Sequence, residues 1–299
     1  MVGVLHIPWS LSRCLCLFWR MQATRASSVR RTETATRGLE WTMTKRPQLV
    51  MSESASTPGQ RTLAIDVGGT GLKASVLDAR GQMLADPVCV ETPSPCPPSV
   101  LVEALVQLVK PLPAFDRVSV GFPGVVRHGE VITAPHFGNA VWRGFAFAEA
   151  LAARFATPVR LLNDADMQGL AVIKGAGIEL VVTLGTGIGT ALFRDRALMP
   201  HLELAHHPIH GNKTYNEYVG DKVRQKIGNK KWNRRVRRMI AILHTLTNYD
   251  QLYLGGGNAA RITFRLPRGT QIVSNTAGIL GGIALWEEAS DRGGRPAGS

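Results

Sequence analysis

The stretch "AIDVGGTGLKASVLD" occupies residues 64–78, and "VVTLGTGIGTALFRD" occupies residues 181–195. Each is an apolar, β-branched run, a glycine-rich turn containing Gly-Thr-Gly, and a second apolar run that ends in aspartate. Such runs flanking a short glycine turn predict a β-hairpin. The same hairpin is therefore expected twice, about 117 residues apart, which is the size of one small domain and implies a duplicated lobe.

Outward from the first hairpin, "QMLADPVCVET" reads as a third strand and "LVEALVQLVKPL" as a helix beyond the proline-rich loop "TPSPCPPSV". There follow strand "RVSVGFPG", a loop with Trp142, helix "FAFAEALAARF", strand "PVRLL" and helix "ADMQGLAVIKGA". A third glycine turn, "LYLGGGNAARI", follows a strand and reads as the opening of another helix. Strands alternating with helices place the chain in the α/β class.

Glycine lets a backbone approach a ligand closely and aim successive N–H groups at it, as a phosphate-binding turn does. Each turn taken alone is equally compatible with a plain tight hairpin. Three at strand ends favour the ligand-binding reading, and no Gly-x4-Gly-Lys-Ser/Thr loop is present to supply a Walker-type alternative. Phosphoryl transfer also needs a group to accept the proton of the attacking hydroxyl. In "PVRLLNDADMQGL", Asn163 and Asp164 fall where a strand ends and a helix begins, the place where α/β proteins present reactive groups. Asp164 is the candidate base and Asn163 the candidate for orienting a substrate hydroxyl, while capping of the helix is the alternative use of either side chain. Asp66, at the mouth of the first glycine turn, is the candidate to hold Mg²⁺ directly or through water.

Residues 61–288 resemble the ROK family of sugar kinases, within the actin/hexokinase superfamily, through "DVGGTGLK", "GFPGVV", "NDAD", "LGTGIGTAL", "ELAHH", "LGGGNA" and "NTAGILGG". The likeness is strongest to the polyphosphate-using glucokinase branch, which phosphorylates glucose at its 6-hydroxyl, often with ATP as a second donor. The resemblance implies an actin-like ATPase (ribonuclease H-like) fold of two duplicated lobes. It also implies Asp164 as catalytic base, and Asn163, Glu203 and His206 as sugar ligands, with Asn139 or His136 as a further sugar contact. Gly68, Gly69, Thr70, Lys73, Gly185, Thr186 and Gly187 would hold phosphate, and Gly255, Gly256 and Gly257 would meet a nucleotide.

Three departures from the family pattern stand out. No cysteine follows Cys96, so the zinc segment found in many members has no counterpart and no structural zinc is expected. His206, His207 and His210 read instead as pocket and surface residues. Ala205 replaces the usual glycine before the histidine, which bears on the choice among hexoses. Residues 1–57 do not resemble the helix-turn-helix of the repressor branch.

The chain is expected to divide into an extension at 1–57, unfolded or upstream of the working start, a first lobe at 58–176 plus 274–290, a second lobe at 177–273, and a flexible tail at 291–299. The apolar patches of the first 20 residues are interrupted by His6, Pro8 and Arg13, so no membrane span is expected there. Four cysteines without a disulfide pattern read as a reducing, cytoplasmic setting.

The formal charge of +13 is unevenly spread. Residues 221–238, "DKVRQKIGNKKWNRRVRR", hold nine basic residues against one acidic, enough to account for the basic excess of everything beyond residue 57. If "WNRRVRRMIAILHTL" is a helix, Val236, Ile240 and Leu243 face inward while Arg234, Arg235 and Arg238 face largely outward. With Lys230 and Lys231 these form a patch suited to a long polyanion, because neutralising phosphates releases counterions. An ordinary solvated face is the alternative. The expected partners are thus a small hexose and polyphosphate or ATP with Mg²⁺, with a homodimer as one oligomeric form. Nucleic acid is not expected, since the segment lacks aromatic interleaving beyond Trp232. The competing functional class is a catalytically silent sugar-binding or regulatory protein on the same fold.

Overall fold

The structure, a computed structural model, describes residues 59–274 and 277–292; the 1–57 extension and most of the 291–299 tail lie outside the described residues. Strands β1 (Thr62–Val67) and β2 (Gly71–Leu77) form the first hairpin, and β2 pairs antiparallel with β3 (Val88–Glu91). On the other side of β1 lie β4 (Arg117–Phe122) and β7 (Val159–Asn163), both parallel to it. The apolar run of β1 is buried on both faces, as expected of a strand with a parallel neighbour in a covered sheet.

The second sheet repeats this plan. Strands β8 (Ile178–Leu184) and β9 (Ile188–Arg194) form its hairpin, and β10 (Ala197–Leu198) extends it antiparallel to β9. Strands β13 (Gln251–Gly255) and β14 (Thr270–Ile272) continue it in parallel beyond β8. The strand orders 3-2-1-4-7 and 10-9-8-13-14 are therefore equivalent, and the duplicated hairpin of the sequence is the first hairpin of each sheet. Two minor hairpins, β5 (Val126–Arg127) with β6 (Glu130–Val131) and β11 (Pro208–His210) with β12 (Lys213–Thr214), lie in the connections.

Helix α1 (Pro98–Val109), the short α2 (Asn139–Trp142) and α3 (Phe147–Phe155) belong to the first half. Its core is centred on Phe122, Trp142 and Phe147, whose rings meet at centroid distances of 5.1–5.6 Å, and Trp142 donates its indole N–H to the Cys96 carbonyl. In the second half, α5 (Tyr215–Val219) leads into α6 (Asp221–Thr247), which is broken at Gly228, where φ is 76°. Val236, Ile240 and Leu243 of α6 are buried against the second sheet together with Trp232.

Two further helices join these parts. Helix α4 (Asp164–Leu170) follows β7 and touches the second sheet, with Gly169 under the Phe193 ring and Gly189 of β9 against Ala165. Helix α7 (Ala277–Arg292) packs on β1, β4 and α4. It approaches closely because Gly281 and Gly282 have no side chain: a Cβ on Gly281 would fall 1.8 Å from the Met167 carbonyl oxygen. The Ser119 hydroxyl donates to the Gly282 carbonyl at 2.6 Å, and the Trp286 indole N–H donates to the same hydroxyl at 2.8 Å. Arg160 lies over the Trp286 ring at 4.0 Å.

Three elements differ from the sequence reading. The third strand is confined to Val88–Glu91, with Met83 making only an isolated bridge to Leu77, because Pro87 has no N–H to give the ladder. The helix after "NDAD" ends at Leu170, since the N–H groups of Lys174, Gly175 and Ala176 turn instead toward the Glu179 carboxylate. After the third glycine turn the chain makes a single 3-10 turn, Ala259–Arg261, rather than opening a helix.

Candidate active site

The C-terminal ends of β1, β4, β7, β8 and β13 carry the polar residues picked out in the sequence, as expected at the ligand-binding edge of parallel strands. In the first turn the Gly68 N–H donates to the Gly71 carbonyl at 2.9 Å, and in the second the Gly185 N–H donates to the Gly187 carbonyl at 2.9 Å. Neither turn uses the left-handed backbone, so glycine is required here for room. A Cβ on Gly69 would press on the His136 ring at 3.2 Å, and one on Gly187 would meet the Asn216 amide oxygen at 3.0 Å. Thr92 holds the first turn through the Gly68 carbonyl, and Asn216 holds the second through the Ile188 N–H.

The third turn is fastened to the second. Gly256 has φ +81°, and a Cβ there would collide with the Leu184 backbone. Asn258 donates through its side chain to the Gly185 carbonyl at 3.3 Å and to Asp221 at 2.9 Å, tying the turn to the start of α6. Gly255 lies against the Gln168 amide on α4, so the third turn and the helix bearing Asp164 are in contact.

Asn163 ends β7 as the N-cap of α4. Its side-chain oxygen accepts from the Ala165 and Asp166 N–H groups at 2.8 and 3.2 Å, and its amide donates to the Phe122 and Gly124 carbonyls. The structure thus gives Asn163 the capping role and fixes the loop "GFPG" to the same point. Asp164, next in the chain, keeps one contact to the Ala165 N–H. Gly121 lets it sit close, since a Cβ at 121 would lie 3.3 Å from the Asp164 Cα.

Burial, reinforced by the neighbouring Asp66 carboxylate, pushes the Asp164 carboxyl from its ordinary 3.8 up to about 7. Burial also raises Asp66, against the pull of Lys73 at 3.8 Å. Asp66, with Lys73 at longer than hydrogen-bond distance and the Asp164 carboxyl adding negative charge nearby, suits a divalent cation. Among the described residues no cluster of three or more His, Cys, Asp or Glu forms a metal cage. That donor set fits Mg²⁺, which commonly binds one or two carboxylates and takes its other ligands from water and substrate phosphates.

The residues that the family resemblance implies for sugar binding also converge. Glu203 is the N-cap of a 3-10 turn, Leu204–His206, of which His206 is the last residue, and Ala205 is buried within it. His136, beside Gly69, is electrostatically coupled to both: burial holds its imidazole below its ordinary pKa, His206 and Lys222 add to the effect, and Glu203 opposes it. Asn139 is exposed and accepts from the Ala134 N–H at 2.7 Å, capping its own loop.

Sequence reasoning missed Asp166 and His201. Asp166 is almost fully buried, and His201 Nδ1 lies 3.1 and 3.2 Å from its two oxygens, while His201 Nε2 lies 3.6 Å from Glu203. Burial favours neutral imidazole, but the Asp166 and Glu203 carboxylates outweigh it and push His201 up to about 10. The acid pair Asp164 and Asp166, two apart with no basic neighbour, was the available signal. Its partner lies 35 positions away.

The basic segment is only partly as expected. Lys230, Arg234 and Arg237, with Asn229, Asn233, Thr263 and Phe264, line a cleft of about 330 Å³. Arg237 was not among the expected patch residues and lies over the Phe264 ring at 4.8 Å. Arg235 does not face freely outward: it is half-buried over the Tyr218 ring and donates to the Tyr218 carbonyl at 3.1 Å. Lys231 and Arg238 are exposed outside the cleft lining.

The chain is similar to known sugar kinases in sequence and in fold. Residues 62–203 match the ROK family model. The chain is 31% identical over 251 residues to a polyphosphate glucokinase of Mycobacterium tuberculosis, covering 77% of this chain and 94% of that protein. It superimposes on the inorganic polyphosphate/ATP-glucomannokinase of Arthrobacter sp. strain KM with a TM-score of 0.68 and 31% identity, covering 78% of this chain and 99% of that one. A ROK family glucokinase of Streptomyces griseus, crystallised with glucose and AMPPNP, shares the fold at 18% identity and a TM-score of 0.64, over 77% of this chain and 99% of that one. With its duplicated five-stranded sheets, paired glycine hairpins and these relatives, the chain belongs to the ROK family.

Proposed function

We propose that the protein is a hexokinase-type phosphotransferase that moves a phosphoryl group from polyphosphate or ATP to the 6-hydroxyl of glucose or a related hexose. The observation that carries this reading is Asp164: a carboxyl at the end of β7, poised near pH 7 by burial and by Asp66, beside a helix that touches both glycine-hairpin sheets. A base with a pKa near the working pH combines the correct protonation state with useful proton affinity.

In the proposed reaction Glu203 and His206 hold ring hydroxyls, and Asp164 accepts the proton of the 6-hydroxyl as its oxygen bonds to the terminal phosphorus. The bridging P–O bond breaks, and the leaving group is ADP or a polyphosphate shortened by one unit. Asn163 fixes Asp164 at the helix start and ties the "GFPG" loop to it. The N–H groups of Gly69, Thr70, Thr186 and Gly187, with Lys73, stabilise charge on the transferring group, while those of Gly68 and Gly185 close the two turns. Mg²⁺, held by Asp66 together with phosphate oxygens, would supply further charge neutralisation. Gly255–Gly257 would meet the nucleotide when ATP is the donor, and the cleft of Lys230, Arg234 and Arg237 would grip a polyanion.

Glucose 6-phosphate formation, measured with Mg²⁺ and either polyphosphate or ATP, tests the reading. Turnover that vanishes in Asp164→Ala while the variant still folds is the expected result. Turnover retained by that variant removes Asp164 from the base role, and silence with both donors across a panel of hexoses favours a sugar-binding or regulatory protein.

A further inference from the structure

His201 occupies an unusual position between the two halves of the candidate site. One ring nitrogen faces both oxygens of Asp166, two residues beyond the proposed base, and the other faces Glu203. The imidazole and Asp166 are enclosed, with side-chain exposures of 12% and 5%, whereas Glu203 is 30% exposed and open to the site. The peptide between His201 and Glu203 is fixed, because the Thr190 hydroxyl donates to the Leu202 carbonyl at 2.7 Å. Glu203 itself has a free choice of side-chain rotamers unless something holds it, and ordering such a side chain on sugar binding costs conformational entropy. An imidazolium anchored on a buried carboxylate is a fixed positive charge, and at 3.6 Å it draws the Glu203 carboxylate toward it as an ion pair.

We propose that His201 is a positioning residue for hexose binding, which uses Asp166 as its anchor and presets the Glu203 carboxylate toward the ring hydroxyls. The inference rests on the proposed role of Glu203 as a sugar ligand. It assigns Asp166 an indirect function: that carboxylate orients the imidazole and contacts no substrate. The same residue pair couples the start of α4, where the base sits, to the strand-end segment that receives the sugar.

Two amides separate this role from simple neutralisation of Asp166. In His201→Asn the amide nitrogen takes the place of Nδ1 and can serve Asp166 without reaching Glu203. In His201→Gln it takes the place of Nε2 and can serve Glu203. Glucose affinity, measured by titration calorimetry in the absence of any phosphoryl donor, is expected to fall about tenfold in His201→Ala, the order expected for loss of a charge-assisted contact. His201→Gln should recover most of that loss and His201→Asn little of it. In a Glu203→Gln background, His201→Ala should cause no further loss.

Recovery by Asn and not by Gln, an unchanged affinity in all three variants, or a fully additive loss in the Glu203→Gln background would each overturn the proposal. Thermal melting of each variant identifies any that fail to fold, and the double-variant comparison then decides. Because the readout is binding, a wild-type protein that binds glucose without transferring phosphate rejects the kinase reading while leaving the comparison in force. A wild-type protein that binds no hexose overturns both.

Discussion

A carboxyl whose pKa lies near 7 in the folded chain, against 3.8 ordinarily, carries a proton over an interval in which the unfolded chain carries none. The sign follows from proton counting: between about pH 4 and pH 7 the folded state binds more protons at Asp164, so stability contributed by this site falls as pH rises, and the loss is complete above 7. The proposed catalytic role has the opposite requirement, since a general base must be ionised. The kcat/KM for hexose is therefore expected to rise through about pH 7 with unit slope, and a flat profile from pH 5 to 8 would exclude Asp164 as the titrating group. Asp164→Asn should lower kcat by about 10²–10⁴-fold, the span associated with a general base. It should also melt several degrees higher than wild type at pH 8, with about 2–4 °C for each kcal/mol recovered. A variant that is inactive and less stable at pH 8 would show that Asp164 is supported by its surroundings and not strained by them. Gly69→Ala makes a related prediction without charge: the new methyl presses on His136 at 3.2 Å, so hexose KM should rise several-fold with kcat less affected.

At the scale of elements, helix α7 is held by geometry that tolerates no added atom. Gly281→Ala would place a methyl 1.8 Å from the Met167 carbonyl oxygen, a backbone atom with nowhere to go, and should destabilise the protein by about 3 kcal/mol, the upper range for overpacking. Urea denaturation would check this, and an unchanged midpoint would mean that the helix can lift away from α4 without loss. The two hairpins, α1, α3, β7 and the start of α4 were legible in the sequence because each announces itself locally, by a period of two, by helical spacing, or by the "NDAD" cap. The end of α4 was not, since it depends on Glu179 drawing three N–H groups from a loop that precedes it. The Asp166 and His201 pair was hidden for the same reason, as were the two arginines of α6. Arg235 is claimed by Tyr218 from α5, and Arg237 is claimed by Phe264 from the loop after β13. Helical phase alone sorts residues into inside and outside, and it cannot report what a distant segment lays over the outside.

For the whole molecule, the concentration of positive charge on one helix makes donor choice an electrostatic question. Replacing Arg234 and Arg237 together by glutamate should reduce polyphosphate-dependent kcat/KM by about tenfold or more and flatten its dependence on salt, because fewer counterions are displaced. ATP-dependent turnover should change much less. Equal losses with both donors would return the cleft to the role of an ordinary solvated surface. Among the described residues no helix is long and apolar enough to cross a membrane.

Helix α4 carries Asp164 at its first position and touches both sheets, with Asp164 and Met167 against Gly121 of the first, and Gly169 beneath Phe193, Ala165 against Gly189 and Gln168 beside Gly255 of the second. If the two sheets turn toward each other as rigid bodies, an axis at or beside this helix would preserve these contacts. A group on an axis moves least. Asp164 would then stay nearly still while the two glycine hairpins swing through larger arcs, so in the proposed reaction the donor would be carried to an acceptor whose proton's destination is already in place.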